Sequence, residues 1–235
     1  MITICLSYFN QISMLKYHLE TWLKYSEEIK NQIKFLIVDD CSKISIEDII
    51  KDIELRSLNI EIFRVTDDIV CNIAGVRNLS AIKCTTQWML ILDMDTVVSE
   101  TTIKCMIELV CKTKSSIAYK FNRRVKNTKH EKHNKIHPAV CLIPKEDYWN
   151  VGGCDEDLVG HYGQTDPMFW YRAKNIIKIE EKKNIYLDYF DEGNACINRD
   201  ITHNKTLFES KKKTGKWSTD YIRFNYVQLY VSNKN

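Results

Sequence analysis

Trp88-Met89-Leu90-Ile91-Leu92-Asp93-Met94-Asp95-Thr96 decides how the chain is read. Five consecutive apolar residues are too few for a helix. They read as a strand covered on both faces, as in a parallel sheet. The strand delivers two carboxylates, one residue apart, to its carboxyl end, and open parallel sheets bind ligands beyond the carboxyl ends of their strands. A Mg²⁺ or Mn²⁺ ion bound to a diphosphate takes one or two carboxylates and leaves the rest of its shell to substrate oxygens and water. Asp-x-Asp is also a common polar turn after a strand, and alone the pattern gives the two readings equal weight.

Upstream, residues 2–6 form a first strand ending in Ser7-Tyr8-Phe9-Asn10. Residues 33–38 form a second buried strand ending in Asp39-Asp40-Cys41-Ser42, and residues 60–65 a third. Between the first two, Leu15, Leu19, Trp22 and Leu23 fall at helical spacing behind a possible cap at Ser13. Ser45-Ile46-Glu47-Asp48 has the form of a capping box and predicts a short helix towards Leu55. Asn72 can cap a helix through Ile73, Val76, Leu79 and Ile82. Strand and helix thus alternate through residue 95, which predicts an α/β unit with a mostly parallel central sheet flanked by helices. Neither Gly-x-Gly-x-x-Gly nor a phosphate loop ending in Gly-Lys-Ser/Thr occurs, which argues against a dinucleotide fold or a P-loop enzyme.

Downstream, Ser99 caps an amphipathic helix carrying Ile103, Met106, Ile107 and Val110, and Ile117, Tyr119 and Phe121 alternate as a strand. Residues 123–137 are polar and basic and include His130, His133 and His137. With no cysteine among them, a solvated loop is the expectation, ahead of a zinc site. Residues 139–143 resume as a strand, stopped by Pro144. Four of the seven glycines lie between Gly152 and Gly163, where a backbone passing close to a ligand would need them. Asp166 reads as the N-cap of a helix that Pro167 opens and that carries Phe169, Trp170 and Ala173. Two strands at 176–180 and 185–189 follow, then a tail with His203, a lysine-rich loop to Lys216, and an aromatic-rich helix bearing Trp217, Tyr221, Phe224, Tyr226 and Tyr230.

The 235 residues are 44% hydrophobic and 28% charged, the make-up of an ordinary globular chain, and the expected organisation is a single domain. Within it, residues 1–98 form a nucleotide-binding half, 99–200 an acceptor-binding half and 201–235 a C-terminal loop and helix. A net charge of +3 does not by itself suggest nucleic acid, and the basic run at 123–137 lacks the interleaved aromatics that stack bases. The nine cysteines are odd in number and contain no Cys-x-x-Cys, so buried reduced thiols are expected. No run approaches the ~20 apolar residues of a membrane span. A soluble cytoplasmic protein without a signal peptide is expected, with peripheral membrane attachment left open.

Four blocks in order resemble the family 2 glycosyltransferases, nucleotide-sugar-dependent enzymes of GT-A fold. They are Leu6-Ser7-Tyr8-Phe9-Asn10; Ile37-Val38-Asp39-Asp40-Cys41-Ser42; Asn72-Ile73-Ala74-Gly75-Val76-Arg77-Asn78 with Leu92-Asp93-Met94-Asp95; and Gly152-Gly153-Cys154-Asp155-Glu156 with Gly163-Gln164-Thr165-Asp166. The resemblance implies that Ser7, Phe9 and Asp40 line a nucleotide base and that Arg77 faces the base or the phosphates. It puts Asp93 near ribose and metal, makes Asp95 the principal ligand of Mn²⁺ or Mg²⁺, and brings Asp155 and Glu156 towards the acceptor. Asp166 becomes the general base, and His203 the histidine that completes the metal shell, with Asn204 and Lys205 beside it. Apart from the resemblance, Lys205, Lys211, Lys212, Lys213 and Lys216 read with equal weight as a basic segment able to close over a diphosphate or as a solvated lysine loop. Departures are Thr165 where Glu is usual before Asp166, Cys41 for a glycine, Cys154 for an aromatic, and no proline before Ser7.

The implied activity is inverting, metal-dependent sugar transfer from a nucleotide diphosphate sugar, UDP-sugar favoured, to a glycan or glycoconjugate hydroxyl. Two other classes stay open. A nucleotidyltransferase also pairs carboxylates with a metal but begins with a glycine-rich, arginine-bearing loop, which residues 7–13 lack. A non-catalytic nucleotide- or carbohydrate-binding module would have no need of a base at Asp166.

Overall fold

The computed structural model describes residues 1–113, 116–126, 135–190 and 198–232. The first half alternates as the sequence predicts: β1 (Ile2–Tyr8), α1 (Ile12–Leu23), α2 (Glu27–Lys30), β2 (Ile33–Asp39), α3 (Ile46–Ile50), β3 (Ile60–Val65), α4 (Ile73–Lys83) and β4 (Trp88–Leu92). The second half contains β5 (Thr96–Val97), α5 (Glu100–Lys112), β6 (Ile117–Val125), β7 (Lys135–Pro144), α6 (Lys145–Asn150), α7 (Thr165–Ala173), β8 (Lys178–Tyr189), α8 (Thr202–Thr214) and β9 (Tyr226–Ser232).

These strands form one sheet in the order β5-β8-β6-β7-β4-β1-β2-β3-β9. Its centre, β4-β1-β2-β3, is parallel, and β9, β7 and β5 add antiparallel pairs towards the flanks. Alternation along the central strands divides the core between two faces. Ile2, Ile4, Leu6, Phe35, Ile37, Leu90 and Leu92 pack with Leu15, Leu19 and Trp22 of α1 and with Ile103 and Met106 of α5. Cys5, Leu36, Val38, Met89 and Ile91 pack on the other face with Val76 and Leu79 of α4 and Phe169 of α7. Each fully buried aliphatic or aromatic side chain contributes roughly 1.5–3 kcal/mol, and the two-faced burial explains why these strands carry unbroken apolar runs.

Several local expectations change. Ser45 and Ser99 do cap their helices, accepting from Glu47 N and Thr102 N. Ser13 lies inside α1, and Asn72 occupies the N-cap position of α4 without a side-chain cap bond. The strands expected at 176–180 and 185–189 are one element, β8, whose pairing with β6 shifts between Phe121 and Asn122. The lysine-rich segment is not a loop but α8, and the aromatic tail is not a helix. Tyr226 and Tyr230 lie on β9, which pairs antiparallel with β3 and covers its edge. The eight described cysteines are free thiols. Among the described residues, no helix is long and apolar enough to cross a membrane.

Candidate active site

Chain crossings place the ends of β1, β2 and β4 side by side, so the loops that follow them share one rim. At the centre of that rim is the β4–β5 loop. Asp93, Asp95 and His137 each offer a ligand atom there, all within 4.8 Å of one another. The loop is held from beneath: His18 of α1 bonds the Met94 carbonyl at 2.9 Å, and the Asp95 carbonyl accepts from Phe190 N at 2.8 Å. Burial and the neighbouring Asp93 charge push the Asp95 carboxyl up to about 7, against the opposing pull of the Thr96 hydroxyl and Arg123. Two carboxylates crowded in this way form a site with surplus negative charge. That donor set fits a hard divalent cation.

Arg77, on the buried face of α4, is the hinge of the arrangement. Its Nη2 donates to Asp93 at 2.9 Å and its Nη1 to Asp166 at 2.6 Å. Burial opposes the guanidinium charge, but Asp166 and Asp93 outweigh it and raise the pKa further. The expectation that Arg77 faces a nucleotide gives way to this buried clamp between two carboxylates. Asp166 is not the N-cap of α7. Gln164 takes that position in a left-handed conformation with φ 66°, and Asp166 sits in the first turn, half-exposed and free to face the cleft. Lys120 and Trp170 line the same side: Lys120 Nζ lies 4.5 Å from the Trp170 ring centroid, and Trp170 donates to the Pro138 carbonyl. Burial lowers the Lys120 pKa against the pull of Cys141 and Asp166.

Ser7 and Asp40 lie at the adjoining ends of β1 and β2, and Phe9 is exposed just beyond. Asp39 is structural. It accepts from Arg64 at 2.6 Å and from Ser42 N at 2.9 Å, which folds the loop so that Asp40 turns the other way. Asp40 Oδ1 and both amide atoms of Asn72 are buried without hydrogen-bond partners in the protein. Burial drives the Asp40 carboxyl to about 7, with Asn72 pulling it down and Asp39 pushing it up. Asp40 Oδ1 has the Asn72 amide as its polar neighbour but no partner at full hydrogen-bond geometry, and a buried oxygen so placed is costly unless a ligand supplies the donor.

Asp155 and Glu156 stand apart from this cleft. Asp155 is buried and accepts from Asp157 N and Ser218 N, with Lys211 2.9 Å away. Glu156 is buried and accepts from Asn78 Nδ2, Ile222 N and Arg223 N. Both carboxylates are buried and tie the stretch at 218–223 to the body. Lys211 is likewise spent, on Asp155 and Asp157. His203 is on the first turn of α8, exposed and stacked on His161 with ring centroids 3.6 Å apart. The imidazole gathered with Asp93 and Asp95 is His137. Asn204 is buried and donates to the carbonyls of Leu158, His161 and Gly163, which fastens α8 to the glycine-rich loop.

His137, expected in a solvated loop ahead of a zinc site, is instead buried on β7, and Thr96, His18 and Arg123 carried no signal that singled them out. The expected basic loop begins later than predicted, because β6 runs to Val125 and β7 already starts at Lys135. His130 and His133 lie outside the described residues. The period-two spacing of His137, Ala139, Cys141 and Ile143, all buried, was the available signal, and Pro138 obscured it.

Residues 3–180 match the family described as glycosyl transferase family 2, and the chain belongs to that family. No curated protein matches it in sequence. Several solved structures share the fold at low identity. Staphylococcus aureus TarS 1–349 in complex with UDP-GlcNAc aligns with TM-score 0.66 and 12% identity, over 82% of this chain and 59% of that one. The mannosyltransferase PcManGT from Pyrobaculum calidifontis, in complex with GDP-Man and Mn²⁺, aligns with TM-score 0.64 and 11% identity, over 89% and 61%. GalNAc-T7 with UDP, GalNAc and Mn²⁺ aligns with TM-score 0.64 and 14% identity, over 80% and 43%. The chain thus spans about three-fifths or less of the length of these neighbours. The architecture is that of the GT-A fold.

Proposed function

We propose that the chain is an inverting, metal-dependent glycosyltransferase. It takes a sugar from a nucleoside diphosphate sugar, UDP-sugar favoured, and passes it to a hydroxyl of a glycan or glycoconjugate. The observation that carries this reading is the shared guanidinium of Arg77, which fixes Asp93 of the cation pair against Asp166 of α7. Family membership and neighbours whose structures hold UDP-GlcNAc or GDP-Man support the donor class.

In this reading Asp95 and Asp93 hold Mn²⁺ or Mg²⁺, which supplies charge neutralisation for the departing diphosphate. Asp40 Oδ1 accepts an N–H from the nucleobase, as uracil or guanine offers. Ser7 and Phe9 border the same base. Asp166 takes the proton of the acceptor hydroxyl as that oxygen bonds the anomeric carbon. The bond from that carbon to the diphosphate oxygen breaks, and its electron pair leaves with the diphosphate. One base on the acceptor side suffices for inversion. Arg77 holds Asp166 with one prong of its guanidinium and Asp93 with the other, a fork that a flexible ammonium could not reproduce.

The test is release of nucleoside diphosphate from a panel of UDP- and GDP-sugars with Mn²⁺ present, for wild type and for Asp166→Asn. Release by wild type, with a loss of ~10²-fold or more in the variant at retained donor binding, is expected. Asp166→Asn releasing nucleotide at the wild-type rate contradicts the assignment of the base.

A further inference from the structure

His137 is held in a way that fixes which of its nitrogens carries a proton. The register between β6 and β7 slips between Lys120 and Asn122: Asn122 faces Ile136, whereas Lys120 faces Cys141. More residues of β7 than of β6 fill that gap, and Pro138 sits within it. Such a bulge removes backbone N–H groups from the ladder. His137 Nδ1 takes up two of them, accepting from Ala139 N at 3.2 Å and from Val140 N at 3.0 Å. A nitrogen that accepts two hydrogen bonds carries no proton, so the proton of the neutral ring is on Nε2.

The other side gives the same answer independently. Thr96 Oγ1 lies 3.1 Å from His137 Nε2 and 3.0 Å from Asp95 Oδ1, to which it donates. A hydroxyl has one hydrogen. With that hydrogen spent on Asp95, Thr96 must accept from Nε2–H. The order runs from the β7 bulge through His137 and Thr96 to Asp95, every link a donor facing an acceptor. Thr96 and His137 are both buried, so no water competes for the links.

We infer that His137 serves the cation site as a positioning residue, acting through Thr96 to orient the Asp95 carboxylate, and not as a ligand. Direct coordination needs a bare nitrogen facing the ion. Turning Nδ1 towards the cation would strand the N–H groups of Ala139 and Val140, and Nε2 is already protonated. The chain instead presents Asp95 with one oxygen bonded by Thr96. This assignment rests on the reading of Asp93 and Asp95 as the cation-binding pair. Among the described residues of the group, the ligands are then the two carboxylates alone.

Two measurements on wild type and one variant series test it. Long-range ¹H–¹⁵N spectra should show His137 as the Nε2–H tautomer, both metal-free and with saturating Mg²⁺. Pulsed EPR of Mn²⁺ bound to ¹⁵N-histidine-labelled protein should show no directly coordinated nitrogen. Thr96→Val should weaken Mn²⁺ binding by ~10- to 100-fold, the usual scale for losing a partner of a metal ligand. Thr96→Ser, which keeps the hydroxyl, should bind like wild type. The double variant Thr96→Val/His137→Gln should be no weaker than Thr96→Val, since both act along one chain. A directly coupled histidine nitrogen, a bare Nε2 or additive losses would overturn the assignment while leaving the metal-dependent reading in place. A folded wild type that takes up no Mn²⁺ would overturn both. Should His137→Gln fail to fold, the wild-type spectra still decide.

Discussion

Arg77 and Asp166, 89 positions apart in sequence, meet at 2.6 Å beneath the floor of the cleft. The contact turns a buried face of α4 into part of the candidate chemistry, because the same guanidinium also holds Asp93. Removing one partner from a buried ionic set costs about 3–5 kcal/mol, and the low end applies here because Arg77 is buried while Asp93 and Asp166 are part-exposed. Arg77→Met is therefore expected to lower the melting temperature by about 10 °C or more. Arg77→Lys keeps the charge but cannot span both carboxylates. It is expected to fold and to release nucleotide at least ~10-fold more slowly than wild type, because orientation is lost. Thermal melts run beside the release assay check both outcomes.

Asp40 links nucleotide binding to pH. Its carboxyl sits at about 7 in the free protein, against an ordinary value of 3.8. The folded state therefore holds an extra proton between these values, and stability falls as pH rises through that window. A nucleobase N–H prefers the ionised form, so donor affinity should rise with pH up to about 7 and then level off, with a proton released on binding below it. Asp40→Ala should lose ~10-fold or more in affinity and a part of the pH dependence, leaving the part carried by Asp95, which also sits at about 7. Calorimetry at pH 5.5, 7 and 8.5 reads both.

His18 makes an opposite demand. Burial lowers its pKa to about 4, and its bond to the Met94 carbonyl only partly offsets this. The unfolded chain binds a proton near 6.5 that the folded one refuses, so stability present at pH 7 declines as pH falls from 6.5 towards 4. The size is about 3 kcal/mol, and His137, also lowered to about 4, adds a decline of the same sign. His18→Gln, whose amide can still donate to the Met94 carbonyl, should flatten part of that slope in urea denaturation at pH 7.5 and 5.

What the sequence made legible was whatever periodicity and strand-end chemistry expose. The apolar run at Trp88–Leu92 and its two aspartates gave the centre of the sheet and the carboxylate pair at its rim, and Asp39-Asp40 gave the second strand end. Cys41, at the position where the resemblance implies glycine, adopts a left-handed φ of 53°. Partnerships across long separations were not legible. Nothing local distinguishes Glu156, which bonds residues 66 and 67 positions away, from a carboxylate that faces an acceptor. Nothing local shows that Lys211 is neutralised by Asp155 and Asp157, or that His137 is buried by a register slip. In the tail, Trp217, Tyr221 and Phe224 mimic helical spacing, whereas from Tyr226 onward the open edge of β3 selects a strand.

The central claim is that Asp95 anchors a cation through which a nucleoside diphosphate sugar binds. Its backbone is held independently of its side chain by the Phe190 N–H, so Asp95→Ala should keep the fold. The most direct measurement is thermal stabilisation by UDP- and GDP-sugars, with Mn²⁺ or with chelator, in wild type and in Asp95→Ala. The account expects wild type to be stabilised only when Mn²⁺ is present and a folded Asp95→Ala not to be stabilised at all. Equal stabilisation of the two proteins, or of wild type with and without the ion, would contradict it.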